Sequence, residues 1–182
     1  AMAEDGMRVL AVAERRLAPG ESAHDALASL DDLEFVGLLG MSDPPRPGVA
    51  EAVAACRRAG VLVMMVTGDH PSTAASIGRR LGLGNIGKPV TGADLDALDD
   101  AALVERLRSS RIAARVTPRD KLRIVRAFEA AGEIVAVTGD GVNDAPALKA
   151  ASLGVAMGRS GTDVARDAAD MVLTDDNFST IV

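Results

Sequence analysis

The run Val135-Ala136-Val137-Thr138-Gly139-Asp140-Gly141-Val142-Asn143-Asp144-Ala145-Pro146-Ala147-Leu148 constrains this chain more than any other stretch. A β-branched apolar strand stops at a glycine-broken loop with two carboxylates and an amide, and a helix follows. A shorter echo, Val66-Thr67-Gly68-Asp69, also closes an apolar run and precedes a helix. Two such turns place Thr-Gly-Asp loops on one edge of a parallel sheet, where open α/β folds bind ligands. There Asp140 and Asp144 gather round one point as hard oxygen ligands, which suits Mg²⁺ and, through it, a phosphate.

The rest of the chain repeats the alternation. Arg8 to Ala13 and Glu34 to Leu39 read as strands, separated by a polar stretch from Pro19 to Asp32. Asp43-Pro44-Pro45-Arg46-Pro47 then breaks the pattern, because prolines this dense continue neither helix nor strand. That break divides the sequence into residues 1–42 and 43–182. Beyond it the pattern predicts a helix from Pro47 to Ala59, a buried strand from Val61 to Val66 and a helix from Ser72 to Leu81. A charged helix from Leu95 to Arg108 lies outside the main sheet. Ile112 to Val116 is a strand, and Pro118 starts a helix reaching Ala131. The strand Ile134 to Val137, the helix Ala145 to Ala150, the strand Leu153 to Ala156, the helix Thr162 to Ala168 and the strand Met171 to Leu173 follow. Such alternation specifies a parallel α/β sheet.

Composition narrows the function. A net charge of −6 argues against nucleic acid or an anionic membrane as partner. Cys56 is the only cysteine, so no internal disulfide forms, and its apolar neighbours make it core filler. No apolar run reaches the ~20 residues of a membrane helix, and no signal-peptide pattern opens the chain, which predicts a soluble chain. His24 and His70 have no partners at zinc-ligand spacing. Phosphoryl transfer needs a metal, donors for the phosphoryl oxygens, and a nucleophile or positioned water. Thr67 offers a hydroxyl, Gly68 an open N–H, Lys121 an ammonium one turn into a helix, and Asn143 a neutral donor.

Thr67, Lys121 and the Asp140/Asp144 pair stand in the order of the second, third and fourth motifs of haloacid-dehalogenase enzymes. The run TGDGVNDAPAL resembles the hinge motif of P-type cation-transporting ATPases within that superfamily, on the branch of calcium and sodium/potassium pumps. Asp43-Pro44-Pro45-Arg46, Thr91-Gly92-Ala93-Asp94-Leu95, Asp163-Val164-Ala165-Arg166 and Asp175 to Val182 extend the likeness over nearly everything after Leu33.

The resemblance implies a Rossmann-like haloacid-dehalogenase fold, a three-layer parallel sheet. Residues 1–42 become the tail of a nucleotide-binding domain and 43–182 an incomplete phosphorylation domain. It implies that Thr67 and Lys121 contact the transferred phosphoryl group while Gly68 and Asp69 complete their loop. Asp140 and Asp144 hold Mg²⁺ with Asn143 in support, Arg115 approaches the nucleotide, and Asp43 and Arg46 act at the hinge. The implied partners are ATP or phosphate and the pump's nucleotide-binding, actuator and membrane domains, on the cytoplasmic face of a membrane. The Ala-, Arg- and Gly-rich composition points to a bacterial one.

One departure stands out. The family's nucleophile is the first Asp of a DKTGT sequence, and none occurs here. Asp94-Leu95-Asp96 has a D-x-D spacing but follows Pro89 and Gly92, so Asp94 reads as a residue at or near a helix N-cap. The isolated chain is therefore expected to be inactive and to lack the strand carrying the nucleophile. The gap is expected to be repaired by an N-terminal strand, by a strand from a second copy, or by direct closure of its two edges. The alternatives are a stand-alone phosphatase of the superfamily and a non-catalytic module that binds Mg²⁺ or phosphate.

Overall fold

The computed structural model describes residues 2, 6–17, 19–22, 24, 32–41, 44–84 and 86–181. Asp43 and most of the polar stretch before Asp32 lie outside the described residues. Among the described residues three separate sheets form. β1 (Arg8–Glu14) and β2 (Glu34–Met41) make an antiparallel pair whose register shifts between Val12 and Ala13. β3 (Met65–Thr67), β4 (Val90–Thr91) and β5 (Ile112–Ala114) make a parallel sheet in the order β3-β5-β4. β6 (Ala136–Gly139), β7 (Leu153–Met157) and β8 (Met171–Leu173) make a second parallel sheet in that order.

The middle strand explains the larger half. Ile112, Ala113 and Ala114 of β5 are all fully buried, and successive side chains of a strand point to opposite faces. Ile112 and Ala114 join Val53 of α1 (Val49–Arg58) and Ala74 of α2 (Pro71–Arg80) in one cluster. Ala113 joins Leu95 of α3 (Gly92–Ala97), Leu103 and Leu107 of α4 (Asp100–Ser110), and Ile124 and Phe128 of α5 (Pro118–Ala130) in the other. Helices thus cover both faces, giving three layers. The β6–β8 half packs Leu148 of α6 (Ala145–Ala150) and Ala165 of α7 (Asp163–Ala168) on Ala156.

Several expectations shift. The apolar run from Val61 is paired only from Met65 onward, because β3 has one neighbour, β5, and their ladder begins where the Met65 N–H donates to the Arg111 carbonyl at 2.9 Å. Ile134 is 91% exposed and lies outside β6. The helix expected from Leu95 to Arg108 is two helices, since Asp99 caps a fresh start through the Ala102 N–H at 2.8 Å. Nor does that segment lie outside the sheet: Leu103 and Leu107 cover its face. Asp94 is the third residue of α3, and Thr91 is the N-cap in a reciprocal capping box.

The expected repair of the gap does not occur among the described residues. β1 and β2 pair with each other, and neither lies in the sheet of β3 or β6. β3 and β6 are each the edge of their own sheet and do not close on one another. Two physical reasons account for it. The antiparallel ladder already pairs one edge of each of β1 and β2, and inserting either strand between β3 and β6, where both its edges are needed, would break that ladder. The edges also keep access to water: Ala136 and Thr138 are exposed and Val66 is only half-buried, so their free backbone groups are not orphaned.

Candidate phosphoryl and metal site

Between the edges of β3 and β6 lies a cavity of about 540 Å³. Both strands run parallel to their sheet mates and deliver their C-terminal ends here. From β3 come Val66, Thr67 and Gly68; from β6 come Thr138, Gly139 and Asp140. Lys121 and Asp144 close the back, and Arg46, Pro47 and Val49 form the approach to α1.

Each side chain has a local reason for its place. The Thr67 hydroxyl donates to Asp69 Oδ2 at 3.0 Å and accepts the Asp69 N–H at 3.1 Å, a tight turn that fixes the end of β3. The Asp69 carbonyl in turn accepts the Arg115 N–H at 3.0 Å, joining this turn to the loop after β5. Thr117 caps α5 in a capping box with Asp120, and Pro118 starts the helix. That start puts Lys121 on the first turn, where its Nζ donates to Asp144 Oδ1 at 2.6 Å. Asp144 Oδ2 accepts the Gly141 N–H at 3.1 Å. Side chains of Lys121 and Asp144 are 21% and 16% exposed, dry enough for the pair to hold and wet enough for an anion to reach it. Asp140 is exposed, and its carbonyl accepts the Thr162 N–H at 2.8 Å.

Thr67, Gly68, Lys121, Asp140, Asp144 and Arg46 therefore meet at one cavity. Asp69, Asn143 and Arg115 do not line it. Asp69 holds Thr67, Asn143 is exposed in the 3₁₀ turn Val142–Asp144, and Arg115 is exposed with a left-handed backbone, φ 56°. Asp43 lies outside the described residues.

The cavity has a wall that sequence reasoning missed. Asp175, Asp176, Asn177 and Phe178 lie on it, after β8. Asp176 has a left-handed backbone, φ 56°, and its carboxylate accepts the N–H groups of Arg159 and Ser160 at 2.9 and 2.8 Å. The Arg159 N–H, with help from Ser160, holds its carboxyl down at about 2. Phe178 reaches across to pack on the cluster containing Val53 and Ile112. An Asp pair just past the C-terminal end of a parallel strand was the available signal.

The donors suit Mg²⁺ with a phosphate. Among the described residues Asp140 makes no side-chain hydrogen bond or ion pair, whereas Asp144 already holds Lys121 and Gly141. Among the described residues no three acidic, His or Cys side chains cluster as a ready cage. Mg²⁺ ordinarily fits such sparse sites, taking one or two carboxylates, waters and phosphate oxygens.

Comparison with known proteins bears on the family. Residues 6–152 match the family model of the haloacid dehalogenase-like hydrolases. Calcium-transporting ATPase 1 of Yarrowia lipolytica is 48% identical over 184 residues, covering 100% of this chain and 20% of that protein. Cation-transporting ATPase pma1 of Synechocystis sp. is 49% identical over 182 residues, covering 99% and 20%. Probable cation-transporting ATPase F of Mycobacterium tuberculosis (strain ATCC 25618 / H37Rv) is 50% identical over 181 residues, covering 97% and 20%. The chain spans about a fifth of the length of these relatives. Similar along its whole length to P-type cation-transporting ATPases and built on this fold, the chain belongs to the haloacid dehalogenase-like hydrolase family.

Proposed function

We propose that this chain is the phosphorylation-domain segment of a P-type ATPase that couples ATP hydrolysis, through an aspartyl-phosphate, to cation transport across a membrane. The observation that carries this reading is the meeting of Thr67, Gly68, Lys121, Asp140 and Asp144 at one cavity between two free parallel edges. Lys121 and the Gly68 N–H receive the phosphoryl oxygens, with the Thr67 hydroxyl turning to them from Asp69. Asp140 and Asp144 would hold Mg²⁺, which would supply charge neutralisation for the transferring group. Arg46 stands where a hinge to the nucleotide-binding part would meet the site, and with Asp43 and Arg115 it serves the nucleotide side. Residues 1–42, whose hairpin forms its own sheet, are the tail of that nucleotide-binding part.

In this reading the strand bearing the nucleophile enters between β3 and β6, completing one continuous sheet. The parent sits in a bacterial cell membrane with this segment on the cytoplasmic face. No described helix of this chain is itself long and apolar enough to cross a membrane. The full-length parent tests the proposal. Asp140→Asn and Lys121→Met, in the numbering used here, should each lower phosphoenzyme formation from labelled ATP by about 100-fold, as losing a charge stabiliser does. Wild-type phosphoenzyme levels in both variants would refute the assignment.

A further inference from the structure

A second cavity, of about 460 Å³, opens at the other pole of the larger half, where β3 and β5 begin. Three arginines, Arg57, Arg108 and Arg111, stand on its wall with Leu62, Gly84 and Ser109, and among the described residues no carboxylate does. The fold explains the charge. Helices here run opposite to the strands, so α1, α2 and α4 all end at this pole. Their carbonyl ends favour cations. Arg57 and Arg58 close α1, Arg79 closes α2, and Arg111 caps α4. The net charge of −6 thus conceals an uneven spread: four carboxylates, Asp140, Asp144, Asp175 and Asp176, line the far cavity beside Arg46 and Lys121, while the lining of this one is charged only by arginines.

Helix ends account for the arginines but not for how they are used. Arg108 is engaged by Glu105, at 2.7 Å, and by Glu133, so its charge is answered. Arg57 donates one N–H to the Gly82 carbonyl at 2.8 Å, a neutral partner that leaves its charge uncompensated. Arg111 makes no side-chain hydrogen bond or ion pair among the described residues although it is half-buried. It also occupies a left-handed position, φ 63°, where glycine is the usual residue. Two uncompensated guanidinium groups therefore share a carboxylate-free cavity.

We propose that this cavity binds a phosphate-class anion, gripped by Arg57 and Arg111. A tetrahedral phosphate offers oxygens to two guanidinium forks at once, whereas a planar carboxylate pairs best with one. The source is a free phosphate or a phosphorylated lipid headgroup. The site is independent of the phosphoryl site at Thr67, and separate resonances report on each.

The test is titration of the ¹⁵N-labelled full chain with inorganic phosphate at constant ionic strength, alongside flotation with vesicles. The vesicles are phosphatidylcholine alone or mixed with phosphatidylglycerol. Saturable shifts at Gly60 to Leu62, Gly84 and Arg111 identify free phosphate as a ligand. Flotation only with the anionic vesicles, without those shifts, identifies a headgroup. Arg57→Gln with Arg111→Gln should weaken either by tenfold or more. Arg111→Gly separates binding from folding, since it suits the left-handed backbone: it should melt no lower than the unsubstituted chain yet bind more weakly, by less than the double variant. Absence of both kinds of binding, or unchanged affinity in these variants, overturns the proposal.

Discussion

Gly139 decides whether Asp144 can reach Lys121. A Cβ at position 139 would sit 2.6 Å from Asp144 Cβ and 3.0 Å from its Cγ, closer than real carbons approach. Gly139→Ala should therefore push Asp144 aside, break the 2.6 Å pair with Lys121 and cost about 1–3 kcal/mol in urea denaturation. Lys121→Met removes the same pair at a largely buried but solvent-reachable site, costing about 1 kcal/mol. Because both variants destroy one interaction, the double variant should lose measurably less than the sum of the two, and strict additivity would show that Gly139 acts elsewhere. Asp176 gives a pH signature. Its folded carboxyl titrates at about 2, below the ordinary 3.8. A depressed carboxyl stabilises the fold above its unfolded value, and that stabilisation disappears as pH falls from 3.8 toward 2. Asp176→Asn should flatten the acid limb of a stability-against-pH curve in that window, without altering its shape near neutrality. That Thr67, Lys121, Asp140 and Asp144 come to one cavity was legible in the sequence, because each sits at a strand end or helix start marked by local residues. Asp176 and Phe178 were not, since their place depends on where β8 leads the chain in space.

At the scale of elements, the free edges are the distinctive feature. The Met65 N–H faces β5, so by the alternation of a parallel ladder the Val66 N–H faces the cavity. The Leu153 N–H bonds the Val135 carbonyl, which by the same logic turns the Ala136 and Thr138 N–H groups toward the cavity. Amide exchange should be fast at Val66, Ala136 and Thr138 and slower at Met65 and Val137. Equal protection on both sets would mean that something pairs with the edges. The order of elements was readable because Gly, Pro and apolar runs punctuate it. The extent of β3 was not, because a wholly apolar run reads as buried on both sides whether or not a second neighbour exists. The break at Asp99 was equally hidden: Leu95 to Arg108 keeps an apolar spacing through the cap.

For the whole molecule, the absence of a DKTGT sequence from these 182 residues sets the first expectation. The isolated chain should neither hydrolyse ATP nor retain labelled phosphate, and incorporation that Asp140→Ala abolishes would contradict this. A peptide of the strand-DKTGT type should enter the cavity and slow exchange at Val66, Ala136 and Thr138; dimers exchanging strands between copies are the competing outcome in sedimentation. The N-terminal hairpin was legible as two strands, yet its partner was not, since apolar residues lie on both its faces: Phe35 and Val36 are 63% and 58% exposed.

The division into two half-sheets also bears on how the molecule comes apart. The larger half is built on Leu95, Leu103, Leu107, Ile124 and Phe128, whereas the smaller rests on Leu148 with two alanines. Polar links between them include Lys121 to Asp144 and Ser152 to Glu129 at 2.9 Å, with Val135 and Phe178 as apolar rivets. Such unequal blocks should melt as two cooperative units rather than one, the β6–β8 block opening first. Calorimetry should then give a van't Hoff enthalpy below the calorimetric one. A guest that fills the cavity clamps both blocks at once, so its signature is a merging of the two transitions into a single, sharper one.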